Sequence, residues 1–213
     1  SGSAKGGVVH IILECLANPK RRHLVSKILD QKDPFHGKDC QGIKKLVYKH
    51  AHKLNISDDE SVEMMKGFIV NGLSHDFYGE DRGMPIGVYT EKDFLIEAEK
   101  YKIRGFIDRL FIYEDGHALI RDYKSSKQQY QGHEAENENP QAASYCLAVR
   151  DLAEKGIIPP VKTVSVEFLF LKFDCNLESS WDTGIYQGRV TKKLYSNGGG
   201  KITLNYRWDE IKG

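Results

Sequence analysis

The sequence predicts an α/β domain, of the α+β kind, in which a helical first third precedes a mixed sheet. In that third, apolar residues recur at helical spacing. From about position 87 the chain instead has β-rich runs, namely VYTEKDFLIEAE, KIRGFIDRLFIYED and HALIRDYKSS. A helical segment and further strands follow, and this order favours a central mixed sheet flanked by helices.

Residues 1–85 are predicted to form an N-terminal helical region. Its four helices correspond to GGVVHIILECLANP, RRHLVSKILD, QGIKKLVYKHAHKL and SDDESVEMMKGFIVNGL. The last of these begins with the pattern of a capping box, from Ser57 to Glu60. The Gly- and Pro-bearing loop YGEDRGMPIG ends the region.

Residues 86–175 are predicted to form the core, and residues 176–213 a C-terminal β-hairpin, all within one compact domain. The second and third strands are joined by a turn at Asp115 and Gly116. A helix is expected from about Pro140 to Lys155. The run TVSVEFLFLKF is too continuously apolar for an edge strand and is therefore predicted to be central. The hairpin is predicted to turn at SNGGG.

Composition excludes few functions but bounds the class of protein. With 40% hydrophobic and 29% charged residues, neither disorder nor a membrane protein is favoured. The absence of a leader and of a long apolar run predicts a cytoplasmic protein with no membrane partner. A net charge of +1 means that a polyanion would have to be bound by a local patch.

Charged residues within two apolar strands indicate the chemistry. Asp122 and Lys124 are two apart, so in a strand they point to the same face, and the hairpin places Asp108 alongside them. Two adjacent carboxylates repel each other unless a cation lies between them, and such oxygen ligands suit Mg²⁺. A lysine beside the ion could orient or deprotonate water, or stabilise charge on a phosphate. The alternative is an exposed ion pair that contributes little.

The ordered motifs GFIDR, DYKSS and Q-x-x-x-Y resemble the PD-(D/E)XK nuclease superfamily, specifically its RecB-like branch. The resemblance implies a restriction-endonuclease-like core and Mg²⁺ or Mn²⁺ held by Asp108, Asp122 and the backbone carbonyl of Tyr123. It also implies that Gln141 and Tyr145 point toward the catalytic strands beside Lys124. Glu91 occupies the position where this branch often carries a glutamate, although a surface strand glutamate is the alternative.

The branch usually has a metal-binding histidine on an early helix in a G-x-x-x-H context. Gly6 and His10 have that spacing, and His75 is the competing candidate. Some members hold an iron–sulfur cluster with one early and three clustered late cysteines. Here only Cys15 is early, and the late Cys146 and Cys175 are widely spaced, so no cluster is expected.

The resemblance implies that DNA is the substrate. Arg109, Lys127, Lys45 and Lys49 are candidates for phosphate contacts, although lysines on an exposed helix face are more often simply solvated. The expected activity is that of a phage or bacterial exonuclease in DNA recombination, repair or processing, with a helicase or recombination protein as one kind of partner. The alternatives are a structure-selective or restriction-type endonuclease and a catalytically silent nucleic-acid-binding module.

Overall fold

The structure is a computed structural model that describes residues 2–125, 140–178, 180–186, 189–195 and 199–207. The helices are α1 (Gly2–Leu16), α2 (Arg22–Gln31), α3 (Gln41–Lys53), α4 (Asp59–Ser74) and α5 (Pro140–Glu154). The strands are β1 (Gly87–Glu97), β2 (Lys102–Ile112), β3 (His117–Lys124), β4 (Thr163–Phe170), β5 (Asp174–Glu178), β6 (Ser180–Tyr186), β7 (Arg189–Tyr195) and β8 (Gly199–Arg207).

Six strands form one mixed sheet in the order β1-β2-β3-β4-β8-β5. The first three strands are antiparallel neighbours, β3 and β4 are parallel, and β8 runs antiparallel to β4. Parallel neighbours need a crossover, and α5 lies within the connection between β3 and β4. The prediction that TVSVEFLFLKF forms a central strand is confirmed, because β4 lies between β3 and β8.

The sheet separates two hydrophobic cores. One core is formed by α1 to α4 together with side chains such as Tyr123, Leu169 and Leu171 from the sheet. The other core is formed by α5 against the opposite face, with Ile120 and Val166 among its buried residues. The result is a mixed α/β fold of the restriction-endonuclease-like kind, with an N-terminal helical layer, as the sequence predicted.

The start of α4 differs by one residue from the predicted capping box. Asp58, and not Ser57, is the N-cap residue, since its side chain accepts a hydrogen bond of 2.9 Å from the backbone N–H of Ser61. Asp59 and Glu60 follow in the first turn, where negative charge is favourable. Either residue type can cap a helix, so the sequence pattern alone did not select between them.

The C-terminal hairpin is present, but the prediction that it turns at SNGGG is wrong. Strands β6 and β7 form the hairpin, with pairing from Ser180 with Tyr195 to Tyr186 with Arg189. The strand after SNGGG, β8, instead pairs with β4 and β5 in the main sheet. A turn signal gives the position of a reversal but does not identify the strand with which the next segment pairs.

Among the described residues, none of the helices combines the length and the apolar character that crossing a membrane would require.

Candidate metal centre and active site

The two aspartates meet at the end of the β2–β3 ladder. Arg109 pairs with Arg121 in this antiparallel register, so Asp108 and Asp122 occupy the next pair of positions. The backbone N–H of Tyr123 donates a hydrogen bond of 2.8 Å to Oδ2 of Asp108. This hydrogen bond holds the carboxylate of Asp108 against the backbone of β3, next to Asp122.

Glu91 reaches the same place from the edge strand. Thr90 pairs with Arg109 and Lys92 with Ile107, so Glu91 lies opposite Asp108 in the β1–β2 register. Its φ of 49° is in the left-handed region, which is unusual for a glutamate within a strand. Such backbone strain concentrates at functional sites.

The strands also change face at this point. Tyr89 packs against the α5 core, but beyond Glu91 the residues of β1 that do so are Phe94 and Ile96. On β2 the corresponding change occurs at Asp108. Leu110 and Ile107 are three residues apart and would point to opposite faces in a regular strand, yet both contact that core. Glu91 and Asp108 therefore lie where the alternation of packed residues changes on both strands.

Helix α1 supplies His10 to the centre. His10 Nε2 lies 3.0 Å from the carbonyl oxygen of Tyr123, and His10 Nδ1 lies 3.7 Å from Oδ1 of Asp108. One turn earlier, a Cβ on Gly6 would lie 2.2 Å from the Oγ of Ser125. The glycine therefore allows the helix backbone to approach the end of β3, and this approach brings His10 to the aspartates.

Burial and like charge make Asp108 difficult to ionise without a cation. Burial, followed by the negative charge of Asp122, raises the pKa of Asp108 to about 7, although His10 and the N–H of Tyr123 oppose the increase. Burial also raises the pKa of Glu91, with His10 opposing the increase and Glu14 and Asp122 adding to it. A divalent ion would relieve this repulsion.

The donor atoms fit a divalent ion. His10, Glu91 and Asp108 each offer a ligand atom within 4.8 Å of the others. The 3.0 Å contact of His10 Nε2 with the Tyr123 carbonyl oxygen is a hydrogen bond that Nε2 donates, so Nδ1, which faces Asp108, is the histidine nitrogen left to bind an ion in this arrangement. Of the predicted donors, His10 and Asp108 lie in this group together with Glu91, and the Tyr123 carbonyl lies next to His10, whereas Asp122 is not a member of the group.

A chain of hydrogen bonds from α5 holds the remaining polar residues. The Nζ of Lys124 lies 3.2 Å from Oδ1 of Asp122 and donates a bond of 2.6 Å to Oε1 of Gln141. The Nε2 of Gln141 donates to the hydroxyl of Tyr145 at 2.9 Å, and that hydroxyl donates to Oδ2 of Asp122. Burial, then the charge of Asp122, raises the pKa of Tyr145, so the phenol stays protonated and remains a donor.

This arrangement can be compared with known proteins. The family model described as the PD-(D/E)XK nuclease superfamily matches residues 4–194. The chain belongs to this superfamily. No match was found among curated proteins. The match begins within α1 and extends into β7, so it includes His10 as well as the motifs on β2, β3 and α5.

Membership of the PD-(D/E)XK superfamily does not assign every predicted residue. His75 does not contact the proposed metal donors; its Nε2 instead lies 2.6 Å from Oε1 of Glu167. Arg109 is only 1% exposed, and its guanidinium stacks on Phe77 and Phe111, so its placement does not favour a phosphate contact. Lys45 and Lys49 are exposed on α3. Lys127 lies outside the described residues.

The sequence analysis did not identify two features of this superfamily member. Glu14 lies one helical turn after His10 and acts electrostatically on Glu91, and the four-residue spacing was the available signal. Arg109 and Arg121, paired across β2 and β3, are both buried, with Glu167 next to Arg121 on β4. The alternation of residues along the strands predicts that these side chains share one face of the sheet. It does not predict that helices cover that face.

Proposed function

We propose that the protein is a Mg²⁺- or Mn²⁺-dependent deoxyribonuclease of the RecB-like branch, acting as an exonuclease in DNA recombination, repair or processing. The observation that carries the proposal is the convergence of His10, Glu91 and Asp108, with Asp122, the ion-pair partner of Lys124, close enough to act electrostatically on Asp108. A carboxyl whose pKa is raised by burial and by a second carboxylate favours a site that needs a cation for full ionisation.

Each residue has a role in this proposal. His10, Asp108, Asp122 and the carbonyl of Tyr123 hold the ion, with Glu91 as a further donor. When bound, the ion supplies a water of lowered pKa and neutralises phosphate charge. Lys124 donates to the charge that develops on the phosphate, and Gln141 fixes the direction of its ammonium group. Tyr145 keeps Asp122 oriented.

The decisive experiment incubates the protein with end-labelled linear DNA and with covalently closed circular DNA, in Mg²⁺, Mn²⁺ or EDTA. Linear DNA should be degraded only with a metal ion, and circles should resist. Cleavage by a metal-stripped sample in EDTA would contradict the metal-dependent mechanism. Rapid nicking of circles would identify an endonuclease instead.

The matched variant is Lys124→Ala, which removes the ammonium group but leaves the proposed metal donors. Single-turnover cleavage should fall by about a hundredfold or more, as when one preorganised charge-stabilising donor is lost. Affinity for DNA and for Mn²⁺ should change little. A folded Lys124→Ala protein that cleaves at the parental rate would show that Lys124 is structural. Binding of DNA without cleavage by the parent, under every metal condition, would favour a silent binding module.

A further inference from the structure

The β1–β2 hairpin extends beyond the rest of the sheet at the active site. The β2–β3 ladder covers Arg109 to Ile112, whereas the β1–β2 ladder continues to the pair of Glu97 and Lys102. The outer part of the hairpin, residues 92–107, is therefore a two-stranded ribbon. We call it the distal ribbon. It begins at Glu91 and Asp108, so it is directly attached to the proposed metal centre.

One face of the distal ribbon is packed and the other is exposed. Phe94 and Ile107 are buried in the α5 core, with Ile96 and Ile103 partly buried against it. On the other face, Phe106 is 52% exposed and Leu95 is 44% exposed. Together these two side chains give the face an apolar surface on which a partner can pack.

The charge beside this ring favours a phosphate-bearing partner. Arg104 pairs with Leu95 across the ribbon and is two residues from Phe106, and therefore lies on the same face. It is exposed and has no ion pair within the part of the chain that the structure describes. Asp93, opposite Phe106, is 3.9 Å from Lys92, which offsets its charge. An aromatic ring beside an available guanidinium is the combination that binds unpaired nucleotides by stacking and phosphate contact.

The distance to the centre fits one strand of nucleic acid. Phe106 is two residues before Asp108, or about 7 Å along the strand. A strand whose phosphate lies at Asp108 and Lys124 would therefore have a base near Phe106. Internal bases of a duplex are stacked on both sides, and pairing keeps even the terminal base in line with the helix, so a duplex offers at most one free base face at its end. An unpaired nucleotide can turn either face of its base toward this surface, so the surface favours an unpaired segment over a duplex.

We infer that the exposed face of the distal ribbon, with Phe106 as the stacking platform and Arg104 as the phosphate contact, binds a single-stranded segment next to the cleaved bond. This inference rests on the proposed nuclease function for the position of the phosphate. It assigns the substrate form: a DNA end whose terminal nucleotides are unpaired.

Phe106→Ala, Phe106→Trp and the matched control Leu95→Ala test the inference. Binding is measured by fluorescence anisotropy with a labelled single-stranded oligonucleotide and with the corresponding duplex, in EDTA so that no cleavage occurs. Phe106→Ala should weaken single-strand binding by roughly tenfold, since base–aromatic stacking contributes about that much. Phe106→Trp should retain it, and Leu95→Ala should change it by less than about threefold. Duplex binding should be nearly unchanged.

A second arm uses oligonucleotides with one abasic position, moved stepwise from the end. At one position the abasic site should weaken binding to the parent but not to Phe106→Ala, because both changes remove the same contact. Equal single-strand affinity of the parent and Phe106→Ala would overturn the inference. So would an equal loss for duplex, or sedimentation showing that Phe106 instead joins two copies of the chain.

The two proposals fail in different ways. A parent protein that cleaves DNA, with no effect of Phe106→Ala on binding, contradicts only the stacking platform. A parent that never cleaves but loses single-strand affinity on Phe106→Ala contradicts only the nuclease. Affinity for Mn²⁺ should be the same in all three ribbon variants, because none of the changed side chains is a proposed metal donor.

Discussion

At the scale of single residues, the spacing of the motifs predicted which side chains would come together but not how each is held. Asp108, Asp122 and Lys124 could be grouped because residues two apart share a face and a hairpin aligns neighbouring strands. The left-handed backbone of Glu91 had no signal in its sequence, since a strand pattern gives alternation and not φ. His10 lies at the centre because Gly6 lets α1 approach Ser125, a contact across most of the chain.

Tyr145→Phe tests how Asp122 is held. The change removes the hydroxyl that donates to Oδ2 of Asp122 and retains the ring. Hydrogen bonds to charged groups contribute about 1.5–3 kcal/mol, so the single-turnover rate should fall by roughly tenfold or more. Gln141 would also lose an acceptor, which should loosen Lys124. A rate equal to that of the parent, in a protein with unchanged stability, would show that Lys124 alone orients Asp122.

The raised pKa of Asp108 predicts a pH dependence of stability. Without metal, the folded state holds the Asp108 proton up to about pH 7, whereas the unfolded chain releases it near the ordinary aspartate value. The folded state therefore binds more protons between these values, and the stability of the metal-free protein should fall as the pH rises from about 4 to 7. Metal affinity should rise over the same window, because the ion displaces that proton.

Asp108→Asn provides the check. The amide carries no charge and can still accept the bond from the N–H of Tyr123, so the metal-free variant should be more stable than the parent at pH 8, by on the order of 1 to 3 kcal/mol. It should bind Mn²⁺ much more weakly. Urea unfolding of both proteins at several pH values measures the difference. A parent and a variant with the same pH profile would show that Asp108 ionises normally.

At the scale of elements, the face of the sheet opposite the aspartates carries a row of buried charges. Arg109, Arg121 and Glu167 are neighbours across β2, β3 and β4. Arg121 also donates a bond of 3.0 Å to the carbonyl oxygen of Asp76, after α4. Burial opposes ionisation of Glu167, but Arg121 and then His75 keep its pKa below the usual value. Because neighbouring residues of a strand point to opposite faces, the sequence implied that Arg109 and Asp108 point away from each other. It did not imply that Arg109 is buried, because the ring of Phe77 that covers it comes from a distant segment that no local pattern relates to β2.

Glu167→Ala should therefore be strongly destabilising. It leaves the buried guanidinium group of Arg121 without its carboxylate, and breaking a buried ion pair in this way costs about 3–5 kcal/mol. The control is Asp151→Ala, which removes an exposed partner of Lys155 at 2.7 Å and should cost less than about 1 kcal/mol. Chemical denaturation of both variants makes the comparison. A loss for Glu167→Ala as small as that for Asp151→Ala would mean that the row is hydrated.

At the scale of the whole molecule, the order of helices and strands was predictable and the pairing of distant strands was less so. A helical first third, a three-stranded antiparallel unit and a central β4 follow from local periodicity and continuous apolar character. The partner of β8 does not, because its pairing with β4 joins segments separated by the hairpin of β6 and β7. Pairing of this kind is decided by the completed core.

Metal should stabilise the whole fold, because the proposed donors come from α1, β1, β2 and β3. An ion that binds only the folded state, at about one hundred times its Kd, should raise the free energy of unfolding by about 2.7 kcal/mol. Thermal unfolding with and without Mn²⁺ measures this, with His10→Ala as the control that should respond much less. An equal response of both proteins would place the ion elsewhere.

The contact between α1 and β3 also gives the site a place in the order of folding. His10 and Tyr123 are 113 residues apart in the chain, so a polypeptide emerging from the ribosome contains α1 long before it contains the carbonyl that His10 faces. Bringing such distant segments together carries the entropy cost of closing a long loop. On the proposed function, the complete metal centre therefore forms only after the first helix docks on the sheet. On the proposed function, a partly folded chain would therefore not cleave DNA. Transient release of α1, which amide hydrogen exchange can detect, would likewise interrupt cleavage in the folded protein.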